Sequence, residues 1–433
     1  MNLTLAGILG LVIMILLIFL RMPIGFAMGL VGFVGLIYVV DWNFAFSTLS
    51  LIPFSVVLDF NKSVVPLFVL MSMVASESGI AEEIYKAAHA WFGHIKGGLA
   101  MATAIGCGGF AAVSGSSMAT AAAMSQVAYP EMQKFGYSST LSLGSITAGG
   151  TVGILIPPSM GFILYSIVTG ESVGKLFMAG ILPGILQVVF YVALIGVLCL
   201  RNPRLGPAGP LSDWGGRARA SAGAWPMIIL FLVVMGGIYL GVFTAMEAGA
   251  LGAFGAFVIG FARRRLNRQK IVQSFLDTGR VTAMIFFIIV GAIIFSTFLS
   301  VTRLPFTLAE ILAGLPVHRY VVLLWILFLY VILGCFLDIY AAMFLTVPIL
   351  FPVILALEFD PIWYGVLMVR VMEMGLITPP VGMNCFVISG VTKVPLGTIF
   401  RGVLPFLIAD ILHLALLLFF PVISLWLPRL MTG

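Results

Sequence analysis

Few side chains in this chain can bind a charge, and a handful of those stand inside apolar stretches. Asp338 lies in Gly334-Cys335-Phe336-Leu337-Asp338, deep in an apolar run. An ionisable residue at membrane depth is by default a functional candidate. Asp338 therefore reads as an ion- or proton-coupling carboxylate, or else as a cap that accepts hydrogen bonds from loop amides. Ser114-Gly115-Ser116-Ser117 clusters hydroxyls around a glycine in another apolar stretch, which supplies a turn plus oxygen donors. Arg370 and Glu373 are spaced to pair on one helical face; alternatively, Arg370 meets a substrate carboxylate, since guanidinium grips carboxylate bidentately. Glu247 reads as a scaffold residue, and Arg303, near Pro305, as a snorkelling anchor. Four cysteines (Cys107, Cys199, Cys335, Cys385) and four histidines (His89, His94, His318, His413) are scattered without metal-ligand spacing, so no transition metal is expected.

Oxygen donors need elements to hold them. The stretch Gly153-Ile154-Leu155-Ile156-Pro157-Pro158-Ser159-Met160-Gly161 lies in an apolar segment and breaks its own helix. Proline removes a donor and clashes with the preceding turn, and it pushes the residue before it toward extended geometry. In hydrocarbon the freed carbonyls survive only if buried in protein or lining a wet cavity, and coordinating a cation is one way to satisfy them. The construction recurs as Gly375-Leu376-Ile377-Thr378-Pro379-Pro380-Val381-Gly382-Met383, offset by 222 residues (153 to 375, 157 to 379). The offset continues through Gly180 and Gly402, Leu182 and Leu404, and Pro183 and Pro405. Paired broken helices in corresponding halves point to the ligand site of a secondary transporter.

Of the 433 residues, 61% are hydrophobic and 9% charged, with a mean hydropathy of +1.19. A water-soluble domain of this length is excluded. At ~20 residues per crossing, the apolar runs predict an all-α polytopic membrane protein with roughly ten to twelve spans and two re-entrant helical hairpins. The net charge of +6 does not imply a nucleic-acid partner, because the basic residues concentrate in two connectors, 201–219 and 263–270. Such an excess marks cytoplasmic loops, and 225–261 between them fits an out-and-back pair.

Along the chain, 3–20 reads as a first span rather than a cleaved leader. Residues 51–75 read as another, and 77–86 as a helix along the interface or a solvated connector. The glycine- and serine-rich stretch 97–130 reads as a hairpin or a continuous helix, and 320–355 mirrors it. A last span is expected over 404–427. The domain expectation is scaffold helices over 1–86, a first transport repeat over 87–200, basic loops and scaffold helices over 201–319, a second repeat over 320–405, and a final span over 406–433.

Taken together, Arg21-Met-Pro23-Ile-Gly25-Phe-Ala, Ser114-Gly-Ser-Ser117, Ile156-Pro-Pro-Ser159, Leu176-Phe-Met-Ala-Gly180-Ile-Leu-Pro183-Gly184, Leu337-Asp338 and Gly375-Leu-Ile-Thr-Pro-Pro-Val-Gly382-Met-Asn384 resemble the large membrane (M) subunit of tripartite ATP-independent periplasmic (TRAP) transporters over essentially the whole chain. The resemblance implies a non-enzymatic, sodium-driven importer of small organic anions in the bacterial inner membrane. It also implies inverted repeats, elevator movement, a periplasmic binding protein and a small four-helix membrane subunit as partners, and no cofactor beyond Na+ as coupling ion. Carried over by position, one sodium site would use Ser114, Gly115 and Ser116 with Gly153, Ile156 and Pro158. The second would use Gly334 and Asp338 with Gly375, Thr378 and Pro380. Substrate contacts would fall to Ser117, Ser159, Arg370 and Asn384. The chain departs from the family's Thr-Pro-Thr-Glu at Thr244-Ala245-Met246-Glu247, which predicts a missing proline kink. Rival readings are a stand-alone sodium- or proton-coupled anion symporter, an intramembrane enzyme, disfavoured by the lack of a nucleophile–base pair, and a channel.

Overall fold

The computed structural model describes residues 3–431, and helices account for most of them, with no strand among the described residues. Among the described residues, eight helical stretches are long and apolar enough to cross a membrane, or nine if the bent pair α3–α4 is one span. That is fewer than the ten to twelve expected from composition, because α1 (Leu3–Phe19) and α2 (Ile24–Val39) are only 17 and 16 residues long.

The first half continues with α3 (Trp42–Leu58), α4 (Val64–Glu77) and α5 (Ile80–Phe92), then a hairpin of α6 (Gly98–Ser114) and α7 (Ser117–Lys134). A broken helix follows as α8 (Ser139–Leu155) and α9 (Met160–Thr169), and α10 (Val173–Arg201) closes the half. The second half runs α11 (Trp214–Tyr239), α12 (Ala245–Ala262), α13 (Arg268–Thr302) and α14 (Leu304–Ala313). Its hairpin is α15 (Arg319–Phe336) and α16 (Ile339–Ala356), its broken helix α17 (Pro361–Gly375) and α18 (Met383–Thr392), and α19 (Leu396–Phe419) and α20 (Val422–Arg429) end it. The 222-residue offset therefore extends beyond the double prolines. It carries α7 onto α16 residue for residue and α6, α8, α9 and α10 onto α15, α17, α18 and α19 within a few residues at their ends.

Three expectations need correction. Residues 51–75 are not one span: α3 and α4 meet at 58°. Asp59 accepts from the Asn61 amide at 3.0 Å and pairs with Lys62, a local capping that competes with the helix. At the same offset the other half has Val281-Thr282-Ala283-Met284, and α13 runs straight through. The last span does not run over 404–427: α19 stops at Phe419, where Pro421 forces Phe420 out of helical geometry. No kink is lost at Thr244-Ala245. Residue 245 is the first of α12, where a proline's missing donor would be unused, and Thr244 and Glu247 form a reciprocal capping box there.

Between the two readings of 77–86, the structure gives a helix, α5. It buries Ile80, Ala81, Tyr85 and Ala88 against protein, packing on α6 and α11, while Lys86 and Glu82 pair at 2.7 Å on its outer side.

Close helix approach holds the interior together, since lipid offers no hydrophobic drive for helices to associate and small residues let backbones touch. Gly402 of α19 meets α8: a Cβ there would stand 2.1 Å from the Thr140 carbonyl oxygen. Gly180, its counterpart, meets the end of α8, where a Cβ would lie 2.5 Å from the Leu155 oxygen. Gly397, earlier on α19, has nothing within 4 Å. Gly402→Ala is expected to destabilise the protein by ~1–3 kcal/mol through overpacking, while Gly397→Ala leaves it unchanged or slightly more stable. Thermal unfolding of the two variants in one detergent checks this, and equal midpoints would contradict it.

Candidate functional site

Each hairpin presents a two-residue turn to the break of the broken helix in its own half. In the first half α6 ends because Gly115 turns left-handed at φ +55°. A Cβ on Gly115 would stand 2.6 Å from the Pro158 carbonyl oxygen, and one on Gly153 would stand 2.8 Å from the Ser116 oxygen. Glycine is required at both surfaces of this contact. Ser116 then caps α7, its Oγ accepting from the Ala119 amide at 3.4 Å. Ser114 Oγ and Thr120 Oγ1 are hydrogen-bonded at 2.7 Å, and Ser72 of α4 donates to the Ser114 oxygen at 2.7 Å.

The first break runs Ile156-Pro157-Pro158-Ser159, and all four residues are buried. The Pro157–Pro158 bond is cis, as is Pro379–Pro380. Ser159 caps α9, with Oγ accepting from the Phe162 amide at 3.4 Å. The tip therefore faces a short non-helical run, whose last carbonyl, that of Ser159, accepts from the Ile163 amide at 3.1 Å.

The second half repeats the plan with different side chains. Leu337 and Asp338 form the turn, and Asp338 occupies the position that Ser116 holds in the first half. Its Oδ1 accepts from the Ala341 amide at 2.7 Å, so the capping reading of Asp338 is realised. Its second carboxylate oxygen is a further donor atom at the tip. Gly334 and Gly375 touch: a Cβ on Gly375 would lie 2.6 Å from the Gly334 Cα. Cys335 Sγ reaches the Pro379 carbonyl at 3.8 Å, and Thr378 Oγ1 donates to the Met374 oxygen at 2.6 Å. Pro379 and Pro380 are exposed, unlike their buried counterparts, so the two breaks differ in access.

The halves meet at their tips. Ser116 and Ser117 from one hairpin and Asp338, Ile339 and Tyr340 from the other line a cleft of ≈ 10 Å³ with Ile154 and Leu376, which is room for about one water. Beside it Asn384 Nδ2 of α18 donates to Ser117 Oγ at 2.6 Å, and the buried Asn384 Oδ1 has no partner. Of the four residues expected to contact substrate, Ser117 and Asn384 are thus together, and Ser159 lies at the first break.

Arg370 is elsewhere. It is wholly buried and does not line the cleft. Its Nη2 donates to Asp410 Oδ1 at 2.5 Å and its Nε to His413 Nδ1 at 2.9 Å, while Glu373 Oε2 lies 3.6 Å from Nη1. The pairing with Glu373 is present, but the guanidinium's main partner is Asp410. The expectation that Arg370 grips a substrate carboxylate is corrected accordingly, because a protein carboxylate occupies that role. Sequence reasoning passed over Asp410 and treated His413 as isolated. The available signal was an aspartate and a histidine three residues apart within a membrane helix.

Among the described residues, no group of three or more His, Cys, Asp or Glu could hold a metal. The donor set at both tips is hydroxyl, amide, carboxylate and carbonyl oxygen, which suits a hard cation.

An all-helical membrane protein with two hairpins lodged in two helix breaks is the class that fold and site define. The model of the tripartite ATP-independent periplasmic transporter DctM component matches residues 11–423. The C4-dicarboxylate TRAP transporter large permease protein DctM of Pseudomonas aeruginosa is 38% identical over 369 residues, covering 84% of this chain and 85% of that protein. The sialic acid TRAP transporter large permease protein SiaM of Vibrio cholerae is 30% identical over 418 residues, 96% and 97% of the two chains. Among solved structures the Alcanivorax borkumensis YdaH transporter superposes with a TM-score of 0.66 over 89% of each chain at 15% identity, a likeness of fold. The chain belongs to the DctM family of TRAP transporter large permease subunits.

Because Gly115 closes on Pro158, Gly115→Ala should lower transport by about tenfold or more, adding Cβ crowding to ~1–2 kcal/mol of left-handed strain. Gly136 shares the positive φ with nothing within 4 Å, so Gly136→Ala carries the strain without the crowding. Uptake rates of the two variants, compared at equal folded amount, test the contact. Equal loss would show that strain alone is at work.

Proposed function

We propose that this chain imports a small organic acid into a bacterium across its inner membrane, driven by a sodium gradient, as the large subunit of a three-part system. The observation that carries the reading is the paired seating of each hairpin turn in its own broken helix. Such a seating gives unwound carbonyls and capping oxygens a cation to hold. In the first site Ser114, Gly115, Ser116, Gly153, Ile156 and Pro158 supply oxygens or allow the close approach. In the second, Gly334, Asp338, Gly375, Thr378 and Pro380 do so. Bound sodium neutralises the partial negative charge of the freed carbonyls and locks tip to break, while Ser117, Ser159 and Asn384 face the substrate between them.

Substrate is delivered by a periplasmic binding protein, and a small four-helix membrane subunit supports the scaffold. Relatives named for C4-dicarboxylate and for sialic acid agree with a carboxylate as cargo. The hairpins and broken helices form the moving body of an elevator. A cavity of ≈ 680 Å³ lies where the α9–α10 connector (Gly170 to Gly174) faces the α3–α4 turn and the α11–α12 turn, giving the two bodies space between them at that end.

Reconstituted in liposomes with its binding protein and small subunit, the protein should accumulate substrate under an inward sodium gradient. Accumulation driven equally by a proton gradient alone would contradict the ion assignment. Asp338→Asn should raise the half-saturating sodium concentration about tenfold, or ~1.4 kcal/mol, while Arg303→Gln leaves it unchanged. The same shift in both would remove any special role for Asp338.

A further inference from the structure

Behind the tips a buried polar cluster touches both broken helices. Thr151 (α8), Gln187 and Tyr191 (α10), Arg370 and Glu373 (α17), and Asp410 and His413 (α19) all have zero exposure. Gln187 Nε2 donates to Thr151 Oγ1 at 3.2 Å and to the Tyr191 hydroxyl at 2.9 Å. Tyr191 donates onward to Asp410 Oδ1 at 2.6 Å, and Arg370 Nη2 donates to the same oxygen at 2.5 Å. Glu373 completes the line at 3.6 Å from Arg370 Nη1.

The two ends of this line are repeat counterparts. The 222-residue offset carries Thr151 to Glu373 and Tyr191 to His413. Thr151 stands two residues before Gly153, and Glu373 two before Gly375. The Glu373 carboxylate also faces the backbone of Ile154 and Leu155, the last turn before the first break. A cluster needed only for packing would be poorly chosen. Buried charges are commonly no better than apolar residues of equal volume, and the buried Asp410 Oδ2 is left without a hydrogen-bond partner. What such a line does supply is a rigid connection between the helices that lead into the two breaks.

We infer that the Thr151–Tyr191–Asp410–Arg370–Glu373 line couples the two cation sites, so that ordering one break sets the last turn ahead of the other and the sites fill cooperatively. These are positioning residues, and none of them touches a cation. The inference rests on the sodium reading above and adds how its two sites communicate.

The test is a sodium chloride titration of the unfolding temperature of the purified full chain, with choline chloride at equal ionic strength as control. Wild type should show a Hill coefficient approaching the number of sites, about 2. Tyr191→Phe should retain sodium-specific stabilisation with a coefficient of about 1. Tyr330→Phe is the structural control: its hydroxyl is equally buried, but its partners Thr346 and Tyr364 belong to the second half alone, and it should match wild type. A hyperbolic wild-type response, a Tyr191→Phe coefficient equal to wild type, or equal falls in both variants would overturn the coupling while leaving sodium binding intact. No sodium-specific stabilisation of wild type would remove the sodium reading itself. Should Tyr191→Phe not fold, Thr151→Val, nearly isosteric at the far end of the line, is titrated instead with the same outcomes.

Discussion

A carbonyl released from a helix in a low-dielectric interior is costly to leave unpaired, and this structure is arranged around two helix breaks that release them. Double prolines interrupt α8–α9 and α17–α18 inside protein rather than against lipid, at least in the first half, where the break is wholly buried. In the first half the hairpin turn meets the break at distances only glycine permits, and in the second Gly334 of α15 touches Gly375 at the end of α17. Around these contacts the remaining helices are placed by close glycine-mediated packing, as at Gly25 and Gly291 between α2 and α13.

The two halves share one plan and differ where function would need them to differ. Ser116 and Asp338 hold the same capping position, yet one is neutral and the other carries a formal charge. The first break is enclosed, while Pro379 and Pro380 of the second are open. On the sodium reading proposed above, two sites of unequal charge and unequal access would load in order, with the buried line from Thr151 to Glu373 as the route between them.

Much of this was legible in the chain itself, because prolines and glycines state their local geometry. The breaks and both hairpin turns fall within a few residues of where proline, glycine and serine chemistry puts them, and the pair α11–α12 lies between the two basic connectors, although α11 already begins at Trp214. What was not legible depends on partners distant in sequence. Arg370 reads locally as a partner for Glu373, yet its strongest contact is with Asp410, forty residues on, which no spacing rule could select. The α3–α4 bend was hidden because Asp59-Phe60-Asn61-Lys62 is short beside the apolar runs flanking it, and hydropathy averages over it. The α19–α20 break at Phe420 was missed for the same reason, although Pro421 was there to be read. Residues of the candidate sodium sites were placed through family likeness. The structure brings their oxygens to tip and break, but which of them holds an ion is a matter of occupancy.

Occupancy can be observed directly. Two high-resolution maps of the assembled transporter, one in sodium chloride and one in choline chloride, should differ by compact density between Ser116 and Pro158 and between Asp338 and Thr378. That density should appear in sodium alone, at oxygen-coordination distance from both hairpin and break. Maps that agree at both tips, or sodium-dependent density confined to surface loops, would contradict the account.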